Sequence, residues 1–133
     1  MAISINELRQ VPDEMIKTMN EQSSEAVFRA YINRTYYCIY HQAKCSIEQG
    51  DFGNFDLSDK GTFKTGTHNR IYEVFLECGK TNTKAKILAF KFRDFLNKRH
   101  KADYQLTDKI TWYDVLECKK YFETIPTLLK EIT

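Results

Sequence analysis

Between residues 84 and 104, KAKILAFKFRDFLNKRHKADY, apolar side chains recur at helical steps: Ile87, Leu88, Phe92, Phe95, Leu96 and Ala102. Such spacing keeps them on one face, so the segment predicts an amphipathic helix with one buried stripe, opening near Asn82 or Thr83. The same reading finds four further elements. Ile5, Leu8, Val11, Met15, Ile16 and Met19 form a short pattern with Pro12 between them; proline fits a first turn and disrupts an interior, so a helix is expected to start near Pro12. Ser23 or Ser24 caps a longer segment, Glu25 to Gln49, with a stripe of Ala26, Val27, Ala30, Tyr31, Tyr37, Cys38, His41 and Cys45, and Gly50 stops it. Residues 50–65 hold three of the five glycines and no helical repeat, which predicts a loop. Thr65 or Thr67 can cap a third helix, Asn69 to Glu77, with Ile71, Val74, Phe75 and Cys78 inward and Gly79 at its end. A last segment, Thr111 to Lys130, shows Val115, Leu116, Cys118, Phe122, Ile125 and Leu129 on one side, and Pro126 is expected to kink it or split off its last turn.

Five glycines and two prolines in 133 residues favour helices over a turn-rich sandwich. Together the elements predict an all-α fold, an up-and-down bundle of four or five antiparallel helices, as a single domain over residues 1–133. There is no basic-then-apolar leader and no apolar run of membrane-spanning length, so a soluble, cytoplasmic chain is expected. Cys38, Cys45, Cys78 and Cys118 are dispersed without a Cys-x-x-Cys pair, which fits reduced thiols in a core.

Charge changes the picture. Residues 1–59 carry nine acids and five Lys/Arg, residues 60–109 five acids and twelve Lys/Arg, and residues 110–133 four acids and three Lys. The middle of the chain, at net +7, is the candidate surface for an anionic partner. Within it Arg93 and His100 stand seven residues apart, almost two helical turns, so both side chains share a face about 10 Å apart along the axis. Cys38, His41 and Cys45 could in principle ligate zinc, but no second helix offers a ligand pair, and packing is the better reading; no metal or other cofactor is expected. The run Gly61 to Gly66, GTFKTG, has half of a phosphate loop, but Thr67 and His68 replace the required Lys-Ser/Thr. His68 reads as an exposed residue of a helix cap. Phe28, Tyr36 and Tyr40 could form a surface stripe for a second subunit or simply belong to the core.

Two segments resemble a known family. Ala26 to Ala43, AVFRAYINRTYYCIYHQA, and Phe92 to Tyr104, FRDFLNKRHKADY, are similar to the HEPN domain family, a nucleotide-binding domain of higher eukaryotes and prokaryotes. The Arg-Thr-Tyr-Tyr run before His41 resembles that family's early helix, and Arg99 to Tyr104 resembles its later Arg-x-x-Ala-Asp-Tyr signature. The resemblance implies a helical bundle, commonly a homodimer, found beside nucleotidyltransferase domains in toxin–antitoxin pairs and defence systems. Active members resemble metal-independent endoribonucleases marked by Arg, a polar residue, and His after four to six intervening positions. Arg93, Asp94 and His100 fit that mark, with six residues between Arg and His. Arg34 and His41 have the same spacing but Thr35 follows the Arg, which makes them secondary candidates. In many such toxins a Tyr that the partner modifies closely follows the His; here Tyr104 lies four residues after His100. Members with the Arg-x-x-Ala-Asp-Tyr form are often binding modules, which implies a second reading: a non-catalytic nucleotide-binding or docking module acting with a nucleotidyltransferase.

Metal-free RNA cleavage needs a base for the 2′-OH proton, an acid for the departing 5′-oxygen and a cation beside the phosphorane. Histidine serves as acid or base near neutral pH, and Arg93 offers a permanently charged fork for phosphate. One helix supplies one His, so a two-fold dimer would bring two Arg/His pairs into one cleft. Lys91, Lys98, Arg99 and Lys101 would hold the RNA backbone, with Tyr104 beside them.

Overall fold

The computed structural model describes residues 3–57 and 66–132. Within them the chain forms five helices and no strand: α1 (Ile5–Thr18), α2 (Glu25–Glu48), α3 (Thr67–Cys78), α4 (Thr83–Tyr104) and α5 (Trp112–Ile132). The all-α expectation therefore holds. The helix starts follow local chemistry. Ser4, Ser24 and Asn82 sit in extended backbone, and their side-chain oxygens accept from the amides of Glu7, Val27 and the Lys84–Ala85 pair. Those amides have no partner within their own helix. At α5 the cap is reciprocal: the Thr111 amide donates to the Asp114 carboxylate at 2.9 Å, and the Asp114 amide donates to Thr111 Oγ1 at 3.3 Å. Gly66 precedes α3; the alternative cap Thr65 and most of the Gly61–Gly66 run lie outside the described residues.

α2 touches every other helix, and α4 lies against α2, α3 and α5. Its inward side, Leu88, Ala89, Phe92 and Phe95, is fully buried. The cross-contacts fix the helix directions. Arg29 near the start of α2 reaches the Lys101 and Ala102 carbonyls at the end of α4, so α2 and α4 are antiparallel. Lys98–Asp114 and Lys84–Glu131 contacts make α4 and α5 antiparallel as well. His68 at the start of α3 meets Tyr36 in mid-α2, whereas Cys78 at the end of α3 donates to the Phe52 carbonyl beyond the end of α2. Hence α2 and α3 run in the same direction. This corrects the up-and-down expectation, because α2 and α3 are consecutive in the chain yet parallel; of the link between them, residues 58–65 lie outside the described residues. Its described part is no simple surface loop, since Phe52 and Leu57 are buried while Gly50 and Gly53 take positive φ (86° and 107°).

Pro12 departs from expectation, and Pro126 does not split off the last turn of its helix. α1 starts at Ile5 and carries a buried Pro12 in its interior. α5 continues through Pro126 to Ile132. Pro126 has no N–H for the Phe122 carbonyl four residues earlier, and Arg9 of α1 supplies the missing donors: Nη1 and Nη2 each approach that oxygen at 3.5 Å, while the guanidinium carbon lies 3.8 Å over the Phe122 ring. The lost helix bond becomes a joint between α1 and α5.

The α2 stripe is corrected in part, with Tyr31 and Cys38 buried as expected. Its buried residues include Phe28, Ile32, Tyr36, Ile39, Ala43 and Ile47, whereas Ala26, Val27 and Ala30 are exposed. The true repeat, at steps of three and four through large side chains, is offset from the expected one and buries far more apolar area. Phe28 and Tyr36 thus belong to the core, with Tyr40 half-buried beside them, and offer no surface stripe for a second subunit. Ile87 and Leu116, expected inside, are 42% and 44% exposed.

Gly79, between α3 and α4, has ordinary helical φ (−66°), yet a Cβ there would lie 2.9 Å from the Lys86 Cα. Gly79→Ala should therefore destabilise the fold by about 1–3 kcal/mol, although alanine favours helix, because the obstructing atom is backbone; chemical denaturation measures it. Arg9→Met keeps an apolar stem but strips the Phe122 carbonyl of its donors, and should cost about 1–3 kcal/mol in the same assay.

Candidate functional site

With neighbours on three sides, α4 from Phe90 onward presents one narrow strip to solvent: Phe90, Arg93, Asn97, His100 and Tyr104, all exposed and separated by steps of three and four. Arg93 and His100 thus lie on the same open strip. The Arg93 guanidinium sits 4.9 Å over the Tyr72 ring of α3 and makes no ion pair among the described residues. The His100 ring lies 5.1 Å from the Tyr104 ring, inclined by 50°. Neither group is sealed by hydrocarbon.

The adjacent polar residue is elsewhere. Asp94 turns toward α5, where the Tyr121 hydroxyl donates to its carboxylate. Burial, then the Asp94 carboxylate, push the Tyr121 phenol up, so it stays a donor. Lys98 is likewise committed to α5, at 2.6 Å from Glu117 and 3.8 Å from Asp114. Lys91 is half-buried, its ammonium 5.9 Å from the Tyr121 ring centre. Lys101 is half-buried on the same edge, lining a small pocket with Asp94, Lys98 and Asp114. The expected basic face is therefore thinner than the charge count implied.

Arg99 departs furthest from expectation. It is only 5% exposed and cannot lie along an RNA backbone as a surface cation. Its guanidinium carbon is 5.0, 5.4 and 5.7 Å from the rings of Tyr36, Tyr37 and Tyr104. Nη1 lies 3.6 Å from the Asp103 carboxylate and 3.5 Å from the Tyr104 hydroxyl oxygen. Asn33 of α2 donates to both Asp103 oxygens, at 3.2 and 3.0 Å. A charge in a low-dielectric setting is costly unless it is surrounded this way. The Arg99-x-x-Ala102-Asp103-Tyr104 run accordingly works as a clamp between α2 and α4.

The clamp continues into α3 through His68, which is half-buried and stacked on Tyr40 with centroids 4.3 Å apart. Its Nδ1 lies 2.6 Å from the Tyr36 hydroxyl. Burial drives the Tyr36 phenol up, so the hydroxyl stays protonated and donates to the imidazole. Burial, helped by the Arg99 charge and by His41, lowers His68 to about 4. His68 is thus a neutral inner residue rather than an exposed cap. The one available signal in the sequence was the unused Phe28–Ile32–Tyr36 repeat of α2, which points Tyr36 inward and requires a partner for its hydroxyl.

The secondary pair is divided by environment: Arg34 is exposed, whereas His41 is half-buried with its ring 5.1 Å from Tyr40 and 6.4 Å from Tyr37. Cys38 is buried and its thiol is pushed up to about 11, chiefly by burial; the Cys45 sulfur accepts from Gln49 at 3.4 Å. Among the described residues no cluster of three His, Cys, Asp or Glu could hold a metal ion, and all four cysteines are free thiols. Nor is any described helix long and apolar enough to cross a membrane. Comparison with protein-family models, curated proteins and solved structures found no match.

His68 makes stability depend on pH. Its value falls from 6.5 to about 4 on folding, so between those limits the unfolded chain binds more protons and stability decreases as pH drops. Urea midpoints at pH 7 and pH 5 should therefore differ less in His68→Asn than in the wild type; an unchanged difference would contradict the buried, neutral imidazole.

Proposed function

We propose that the protein is a metal-independent endoribonuclease of the toxin or defence kind, using Arg93 and His100 at a homodimeric cleft. The observation that carries this reading is the open α4 strip, on which a guanidinium with no ion pair among the described residues and an exposed imidazole stand two turns apart. The resemblance to the HEPN family supplies the reaction class. His100 takes the 2′-OH proton or delivers one to the departing 5′-oxygen. Arg93 neutralises charge on the phosphorane, and the products are a 2′,3′-cyclic phosphate and a 5′-hydroxyl. Two copies facing each other across a two-fold axis furnish the second His. Phe90 on the strip and Ile87 just before it, exposed at 54% and 42%, provide apolar surface for that contact. An antitoxin nucleotidyltransferase is the partner this reading implies.

Asp94 is held by Tyr121, away from Arg93, and this favours the second reading, a nucleotide-binding or docking module without cleavage. The two are separated by incubating total RNA with the protein in EDTA across pH 5–9. His100→Ala should lower cleavage by about 100-fold or more and leave the helical content intact. RNA that stays whole with the wild type, or is cut equally by the variant, refutes the nuclease. Lys101→Ala should weaken RNA binding and flatten its salt dependence. Lys98→Met should leave RNA affinity near that of the wild type but lower the denaturation midpoint, because its ammonium is spent on α5.

A further inference from the structure

Lys91 turns with Asp94 and Lys98 toward α5, away from the row that carries Arg93 and His100, and its ammonium lies 5.9 Å from the Tyr121 ring centre. There the seam between α4 and α5 opens into a shallow groove of about 390 Å³, lined by Lys91, Tyr113, Leu116, Glu117, Lys120 and Tyr121. Its apolar side faces solvent: Tyr113 is 68% and Leu116 44% exposed, one turn apart on α5, and Lys120 follows a turn later in the same row. Elsewhere along the seam the lysines are matched, Lys84 with Glu131 at 3.2 Å and Lys98 with Glu117 at 2.6 Å. Glu117, the acid of the groove, is therefore already taken. Lys91 and Lys120 make no ion pair among the described residues, so the groove holds two uncompensated ammoniums around a tyrosine and a leucine.

We infer that this groove docks an acidic amphipathic helix of a partner protein, with apolar side chains against Tyr113 and Leu116 and carboxylates on Lys91 and Lys120. The seam between two antiparallel helices is a concave track that a third helix can follow. A single exposed leucine is ordinary on a protein surface; an exposed Tyr and Leu set in a groove with charges beside them have the apolar centre and polar rim of a docking face. Charge complementarity fixes the sign of the partner. A basic helix would meet two like charges, and Glu117 is not free to offset them. Nucleic acid fits less well, because two cations neutralise little of a phosphate backbone and Leu116 gains nothing from it. The lysine stems can lie along the apolar flank of an incoming helix while their ammoniums reach its carboxylates. This inference goes beyond the nuclease reading and uses neither Arg93 nor His100.

The test titrates isotopically labelled protein, followed by NMR, with a synthetic amphipathic helix of about four turns that carries Leu and Phe on one face and Glu beside them. A counterpart with Lys in place of Glu serves as the control. The acidic helix should give saturable shifts at Lys91, Tyr113, Leu116 and Lys120, and the basic helix none. Lys120→Glu and Tyr113→Ser, both at exposed positions, should each weaken binding by roughly five-fold or more while their melting temperatures stay near that of the wild type. No saturable shift with the acidic helix, equal binding of the basic one, or unchanged affinity in both variants overturns the inference. The same shifts evoked by an RNA oligonucleotide assign the groove to nucleic acid and overturn it, as do shifts evoked by raising the protein concentration alone, which assign it to a second copy. Total RNA left whole by the wild type removes the nuclease reading and does not touch this one.

Discussion

A buried guanidinium is the constraint around which this bundle is arranged. Arg99 projects from the inner side of α4, and a desolvated cation survives there only if electron-rich and anionic groups surround it. Three tyrosine rings, the Asp103 carboxylate and the Tyr104 hydroxyl meet most of that need, while the buried Nε has no hydrogen-bond partner among the described residues. They come from two helices, and Tyr36 in turn holds His68 of a third. Satisfying one charge therefore fixes the mutual placement of α2, α3 and α4 at the end of the bundle where the candidate site lies.

The same arrangement explains why the α4 strip is so sharply divided. Residues facing α5 are consumed by internal bonds: Asp94 by Tyr121, Lys98 by Glu117 and Asp114. Residues facing α2 are core or clamp. What remains toward solvent is a single row in which Arg93 rests over Tyr72 and His100 leans on Tyr104. Structural and chemical tasks are thus separated by helical phase alone, with a one-residue step between an exposed imidazole and a buried guanidinium.

The α1–α5 joint shows a comparable economy. Proline within a helix costs a backbone bond, and the cost is usually read as a break. Here a side chain from a distant helix supplies the lost donor, so Pro126 becomes an attachment point for Arg9. A lone proline in a pattern cannot reveal this, because the compensating group lies over a hundred residues away in the chain.

The caps at Ser24 and Asn82, the existence of α2 to α5 and the phase of Arg93 relative to His100 were determined by the sequence alone, since each depends on neighbours within about one or two turns. Ser24, Asn82 and Gly79 mark their boundaries by local hydrogen bonding or chain direction. Which arc of α2 faces inward, that α3 runs parallel to it, and that Arg99 is core while His100 is surface were decided only by tertiary structure. Those outcomes turn on which distant rings and carboxylates arrive to desolvate or satisfy a group. No count of charges or periods within one segment contains that information.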